Sequence, residues 1–445
     1  MTVPNLKRTT LLFGDIIILY LSLYLTLLIR YGNKFDLNDW NQHFWPFTIV
    51  YSIWLIVFFI DGLYDLSLAR NNISFYSVIF RGLIINFTLA IAFFYFVPRI
   101  GISPKTNLFL NLAIFTLLFS VWRQTYNYLI KSSALINNVL IIGKNKEIDQ
   151  IIQIIQKNPQ FGYRIIHQLE TKEIQTPFDL LEMATQKNVK TIITAINPHE
   201  NLNLVRSLYQ CLPLKIGFND LPSFYEKILG KVPISSIGEI WFLENLTESQ
   251  KNFYEIIKRI FDMIGALVFG LISLLFYPII ILAIKLDSRG PIFYTQRRIG
   301  HDNQIFKVIK FRSMIKQAEK NGAQWANQQD HRITRVGRIL RKVRLDELPQ
   351  LLNIFIGQMS FIGPRPERIE FVQQLEKEIP YYQIRHIVKP GLTGWAQVNF
   401  RYGASVKDSI EKLQFELYYI KHRSIVLDIG ILLKTVKIIL KGGGR

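Results

Sequence analysis

Apolar residues gather in the first 130 positions into four near-continuous runs: Leu11–Ile29, Phe44–Ile60, Gly82–Val97 and Leu108–Trp122, the last extendable past Arg123 to Ile130. A bilayer core takes about 20 apolar residues per helix, about 17 at the short end. The first and last runs meet that length, and the middle two meet it when snorkelling ends such as Arg81 are counted. The pattern predicts four spanning helices rather than a bundle of buried soluble ones. No small-residue cleavage site follows Ile29–Tyr31, so the first run reads as retained. Lys7, Arg8, Arg70, Arg81, Arg123 and Lys131 flank one side of these spans; Arg30, Lys34, Arg99 and Lys105 flank the other. That excess, with the basic remainder of the chain, predicts both ends of the bundle on the cytoplasmic side.

From Asn138 short β-branched runs alternate with amphipathic segments. Val139–Ile142, Tyr163–His167, Thr191–Ile196 and Leu214–Phe218 read as strands; Glu147–Gln156, Phe178–Lys187 and Asn203–Gln210 read as helices. This alternation predicts a Rossmann-like α/β domain over 135–243, following a transmembrane region over 1–134. Its first βα turn, Gly143-Lys144-Asn145-Lys146, has one glycine where G-x-G-x-x-G would let a pyrophosphate approach the backbone. A packing or regulatory module is therefore expected, not a dinucleotide site.

A fifth apolar run, Ile260–Ile284, is long enough to cross, but Lys258 and Arg259 precede it and Lys285, Arg289, Arg297 and Arg298 follow it. Basic flanks on both sides contradict a simple span, and Pro278 removes a helix hydrogen bond inside the run. A re-entrant helix that breaks near Pro278 and returns to the same face satisfies both. Ile425–Leu440, with Lys434, Lys437 and Lys441, is short for a span and reads as an interfacial helix.

A chain of 445 residues holds two or three domains. Hydrophobic residues make up 49% and the formal net charge is +20, which excludes disordered and collagen-like chains and points to a membrane protein that handles anions. Cys211, the single cysteine, excludes an intramolecular disulfide and fits a reducing compartment, and the seven His lack metalloenzyme spacing. No helix-turn-helix, RNP or zinc-finger pattern accompanies the charge, so nucleic acid is not the expected partner.

The charge concentrates. Lys285–Leu345 carries fifteen Lys and Arg against four acids, interleaved with Gly and aromatics, as in Lys310-Phe311-Arg312-Ser313-Met314. Arginine forks match phosphate oxygens, and a basic cleft concentrates a pyrophosphate; a solvated face against anionic lipid is the alternative for about half of these side chains. Then Arg341-Lys342-Val343-Arg344-Leu345-Asp346-Glu347-Leu348 leads into leucines at helical spacing, so the two acids are expected at the start of a helix. Asp346 there is either an N-cap or, with Glu347, a holder of Mg²⁺ and attacker of phosphorus.

Four ordered motifs, Lys310–Met314, Leu345–Gln350, Met359–Glu367 and Lys389–Asn399, resemble the bacterial sugar transferase family over about residues 254–445. These are monotopic polyprenyl-phosphate hexose-1-phosphate transferases, and the whole chain is similar to the family's large members. The resemblance implies a mainly α-helical monotopic catalytic domain over 254–445, with the re-entrant helix at 260–284. It departs in one place, with Tyr277-Pro278 where small members often have Ser-Pro. By resemblance Asp346 attacks the phosphorus of a UDP-sugar, UMP leaves, and undecaprenyl phosphate takes the sugar phosphate from the carboxylate. Glu347 assists metal binding or positions the phosphate, Mg²⁺ is the cofactor, and Lys310, Arg312, Arg341 and Arg365 are the candidate phosphate cradle. The product starts exopolysaccharide, capsule or O-antigen assembly. The large architecture implies glucose or galactose 1-phosphate, with acetamido sugars the alternative, and a homodimer. The competing class is a non-enzymatic membrane scaffold or sensor that grips anionic lipid.

Overall fold

The structure is a computed structural model and describes residues 3–97, 105–130, 136–170, 177–195, 202–246, 251–316, 318, 330–400 and 405–440. The chain divides into two compact units, Met1–Leu221 and Pro222–Arg445.

In the first unit, α1 (Val3–Tyr31), α2 (Leu37–Asp61), α3 (Ile73–Phe96) and α4 (Lys105–Leu129) are each long and apolar enough to cross a bilayer. The third helix begins nine residues before its apolar run because Asn72 caps it, accepting the Phe75 N–H at 2.9 Å. Trp54, Phe58, Phe115 and Phe119 stack in the bundle core, while Phe13, Ile17, Phe80 and Leu117 face outward. Some polar groups inside the bundle satisfy one another, as where Asn111 donates to Ser22 Oγ at 3.1 Å and accepts from Tyr51 Oη at 3.2 Å. Without water, such side chains need partners on neighbouring helices. Two of the flanking cations are not free, since Arg81 pairs with Asp61 and Arg123 with Asp15, each at 2.5 Å. Arg99 and Lys131, also counted as flanks, lie outside the described residues, as does the side chain of Lys105.

The rest of this unit is an α/β layer: β1 (Asn137–Ile142), α5 (Lys146–Lys157), β2 (Tyr163–Leu169), α6 (Pro177–Gln186), β3 (Thr191–Thr194), α7 (Leu202–Gln210) and β4 (Gly217–Asp220). Its sheet is parallel in the order β2-β1-β3-β4. The last strand lies three residues later than expected, because a 3-10 turn at Leu212–Leu214 and Lys215 at φ +55° redirect the chain first. The layer meets the basic end of the bundle: Lys7 Nζ donates to Gln160 O at 3.3 Å, and Arg70 Nη2 donates to Asn158 Oδ1 at 2.5 Å. Lys7 and Arg70 thus share a side, as their charge predicted.

The second unit opens with α8 (Leu221–Leu229) and α9 (Glu239–Asn245), which the sequence reading assigned to the α/β domain. Val232, Ile234 and Phe242 instead bury among Leu413, Leu417 and Ile420, and Lys231 pairs with Glu411 at 2.8 Å. The predicted single apolar run becomes two helices, α10 (Asn252–Leu274) and α11 (Tyr277–Asp287), whose axes bend by 60°. Pro278 occupies the first turn of α11, where its missing N–H costs nothing. Beyond them follow an antiparallel hairpin, β5 (Phe293–Ile299) and β6 (Ile305–Phe311), then α12 (Arg335–Lys342), α13 (Gln350–Ile356), β7 (Ser360–Ile362), α14 (Ile369–Glu378), β8 (Gly391–Thr393), α15 (Trp395–Asn399), α16 (Val406–His422) and α17 (Ile425–Leu440). Strands β7 and β8 pair in parallel.

Candidate active site

Asp346 and Glu347 do not open a helix. They occupy a one-turn 3-10 segment, Leu345–Glu347, between α12 and α13. Arg344 precedes it at φ +59°, a left-handed conformation that separates the turn from α12. Pro349 closes it and serves as the N-cap position of α13, with no side-chain cap, so Asp346 is not an N-cap. Leu345 and Leu348 pack against Ile280, Ile284, Phe311 and Leu340, which fixes the turn on α11 and β6.

The two acids sit side by side and are both nearly buried, yet their surroundings differ. Glu347 Oε1 meets Arg365 Nη2 at 2.6 Å and Lys310 Nζ at 3.7 Å, and its Oε2 lies 3.6 Å from Arg344 Nη1. Burial favours the protonated form, but Arg365, Lys310 and Arg344 outweigh it and hold the carboxyl down at about 2. No hydrogen bond or ion pair among the described residues engages Asp346. Burial first, then the Glu347 charge, push its carboxyl above the ordinary range; Lys310, Arg341 and Arg365 offset part of the rise. Environments that drive two neighbouring acids apart assign them different roles. Asp346 is a desolvated, unengaged carboxylate with raised basicity, suited to attack; Glu347 is a fixed anion that organises cations.

Of the four expected cradle residues, Lys310 and Arg365 converge on Glu347, and Arg341, in the last turn of α12, acts on Asp346 through its charge. Arg312 is not in this group. Its buried guanidinium donates to Ser288 O at 2.7 Å and Ser288 Oγ at 3.0 Å, tying β6 to the end of α11. Burial pushes the Lys310 ammonium down to about 8, with Glu347 opposing.

The Met359–Glu367 and Lys389–Asn399 motifs form one knot. Ser360 donates to Pro390 O at 2.9 Å, and Gly391 N donates to Pro364 O at 2.8 Å. A Cβ on Gly391 would lie 2.1 Å from Gly363 N, and one on Gly394 would lie 2.2 Å from Gly363 O, so only glycine permits this backbone approach. The second motif shapes the loop that presents Arg365.

Beneath that loop lies a layer the sequence reading missed. Arg385 makes two 2.8 Å bonds to Glu416 and donates to Arg365 O at 2.9 Å. Glu367 pairs with Lys412 and, at 3.8 Å, with Arg298; burial raises its proton affinity, but Lys412, Arg385 and Arg298 outweigh it and hold it at about 2. In sequence, Lys412 and Glu416 look like a solvated i,i+4 pair on a helix. Arg344 could have been found from its spacing to Glu347, though its left-handed backbone could not. His386 is buried, and burial together with Arg385 pushes its ring down to about 3, so it stays neutral and is no base.

A divalent ion has limited protein donors here, since no group of three or more His, Cys, Asp or Glu gathers among the described residues. Two donors remain: the unengaged Asp346 carboxylate, and Glu347 Oε2, which is buried without a hydrogen bond. One or two carboxylates completed by substrate phosphates is the set Mg²⁺ takes, so the residues fit that ion.

The bacterial sugar transferase family matches residues 253–442. The chain is 43% identical over 242 residues to the UDP-N-acetylgalactosamine-undecaprenyl-phosphate N-acetylgalactosaminephosphotransferase of Aeromonas hydrophila, covering 54% of this chain and 56% of that one. It is 29% identical over 460 residues to the UDP-glucose:undecaprenyl-phosphate glucose-1-phosphate transferase of Klebsiella pneumoniae, covering 95% and 93%. To the Xanthomonas campestris pv. campestris protein of the same name it is 30% identical over 335 residues, covering 70% and 68%.

Proposed function

This chain belongs to the bacterial sugar transferase family and is a sugar-phosphate transferase, and on that premise we propose that it moves a sugar 1-phosphate from a UDP-sugar to undecaprenyl phosphate in two displacements. In the first, an Asp346 oxygen forms a bond to the sugar-linked phosphorus and the bond from that phosphorus to the UMP oxygen breaks. UMP leaves, and the sugar phosphate stays on the carboxylate as an acyl phosphate. In the second, a phosphate oxygen of undecaprenyl phosphate attacks the same phosphorus. The bond to Asp346 breaks, the carboxylate returns and undecaprenyl diphosphate sugar departs.

The observation that carries this reading is the contrast between the acids: Asp346 has no hydrogen bond or ion pair among the described residues, and Glu347 is locked by Arg365 at 2.6 Å. Lys310 and Arg365 lie where they can disperse charge on the transferring phosphoryl oxygens, and Arg341 draws the donor's anion toward Asp346. Mg²⁺, held by Asp346 and Glu347 Oε2 together with the donor's phosphates, would supply further neutralisation of phosphate charge. The bend at residues 275–276 and the outward apolar side chains of Phe261, Leu267, Leu271 and Ile279 support a re-entrant, monotopic seating of the catalytic unit, and the basic residues on both flanks of that run support the cytoplasmic face. The product would start an exopolysaccharide, capsule or O-antigen glycan.

The test is UMP release with Mg²⁺ and undecaprenyl phosphate over a panel of radiolabelled UDP-glucose, UDP-galactose, UDP-N-acetylglucosamine and UDP-N-acetylgalactosamine. Asp346→Asn keeps the side-chain shape and removes the attacking charge, so turnover should fall by at least about 10³-fold in a folded protein. Mass spectrometry of wild type quenched with donor alone should find the sugar phosphate on the peptide holding Asp346. Retention of more than a tenth of turnover by Asp346→Asn would remove it as nucleophile.

A further inference from the structure

Helix α10 has an apolar, outward-facing surface, yet two of its charged residues turn inward one turn apart, and each engages the backbone of a different catalytic segment. Arg259 donates from Nη1 to Ile354 O at 2.7 Å and from Nη2 to Phe355 O at 2.6 Å, the terminal carbonyls of α13. Ile354 O also accepts the N–H of Gly357, the residue that caps α13, at 3.0 Å, and a cation is favoured at this end of a helix. Asp262, buried, accepts the Phe361 N–H at 3.0 Å in β7. The Phe361 ring also lies on α10: a Cβ on Gly265 would come within 2.8 Å of it, and Phe269 meets it edge-on with centroids 6.2 Å apart.

These two segments carry the active pair. Helix α13 starts three residues after Glu347, and Phe361 stands four residues before Arg365. The Glu347–Arg365 contact at 2.6 Å closes a frame whose opposite side is α10. Two polar attachments one turn apart fix both the rotation and the axial position of a helix against what it holds. An apolar contact alone would allow sliding, because dispersion is non-directional.

We propose that Arg259 and Asp262 are positioning residues through which the membrane-seated helix α10 sets the spacing between the Asp346–Glu347 turn and the Arg365 loop. Assembly of the active site is thereby linked to seating of that helix in the bilayer. The proposal rests on the transferase reading of the site.

The experiment uses the full chain in lipid nanodiscs and compares Asp262→Ala and Arg259→Gln with the conservative Asp262→Asn and Arg259→Lys. Asp262→Asn keeps an acceptor oxygen for the Phe361 N–H; Arg259→Gln can reach at most one carbonyl. A displacement on the order of 1 Å costs about 10²-fold in kcat, with KM for the donor little changed, and both Asp262→Ala and Arg259→Gln should show it. The conservative variants should recover kcat. Wild-type kcat in Asp262→Ala or Arg259→Gln overturns the clasp, as does a loss in Asp262→Asn equal to that in Asp262→Ala. Should Asp262→Ala fail to fold, the Arg259 pair decides by the same criteria. A wild-type protein that releases no UMP would instead fail the transferase reading.

Discussion

Replacing Arg385 by Met separates stability from catalysis in this site. Arg385 and Glu416 have side chains only 1% and 2% exposed and share two 2.8 Å charge-assisted bonds. Removing one partner leaves a buried charge, with Lys412 Nζ, 4.0 Å away, as the nearest compensation. Such a break costs about 3–5 kcal/mol. In a unit the size of Pro222–Arg445 that lowers the melting temperature by about 6–20 °C. The double variant Arg385→Met/Glu416→Met removes both charges, and an apolar pair of similar volume is close to neutral, so melting should return to near wild type. Catalysis should not return with it. Arg365 O still lacks the donor that held it at 2.9 Å, a charged hydrogen bond worth about 1.5–3 kcal/mol, which corresponds to about 10- to 150-fold in kcat if the loop depends on it fully. Tryptophan fluorescence melting and UMP release, measured on the same preparations, test both halves. A double variant with wild-type turnover, or a single variant that melts with wild type, would refute the reasoning.

Lys310, pushed down to about 8 from its ordinary 10.5, is charged below that pH and neutral above it, so kcat/KM for the donor should fall as pH rises through about 8. Lys310→Arg, charged throughout, should flatten that alkaline limb in a pH–rate profile. Cysteines placed at the exposed Phe253 and Arg297 in a Cys211→Ser background should both be protected in spheroplasts from an impermeant maleimide and both react after lysis; reaction of one alone from outside would make α10 and α11 a broken span. A chain starting at Pro222 should melt well above one starting at residue 254, since the shorter chain loses the buried Val232, Ile234 and Phe242, worth about 1.5–3 kcal/mol each, and the Lys251 bonds to Ile420 O and Lys421 O.

The sequence by itself determined the elements and the chemistry-bearing residue types. Runs of apolar residues long enough to cross a bilayer yielded α1 to α4, because length and hydropathy are local properties. The alternating α/β pattern yielded the parallel layer, and Pro278 located the break in the fifth run within two residues. Asp346, Glu347, Lys310 and Arg365, which the fold brings to one place, each stand in a short motif. What only the tertiary structure decided is which charges meet. Lys310 lies in β6 and Arg312 stands just past its end, two residues on, yet Arg312 braces α11 and Lys310 faces Glu347. Asp346 and Glu347 are adjacent and chemically alike, yet cations from β6, the Arg344 turn and the Arg365 loop pair with Glu347, and none of the described residues pairs with Asp346. The α/β boundary differs for the same reason: Val232, Ile234 and Phe242 are buried among side chains of α16, about 170–190 residues along the chain. Hydrophobic periodicity specifies that a face is buried, not by what, and charge pairing at long separation leaves no local mark. Desolvation and ion pairing, which make the surroundings of the two acids differ, therefore exist only after the segments have packed.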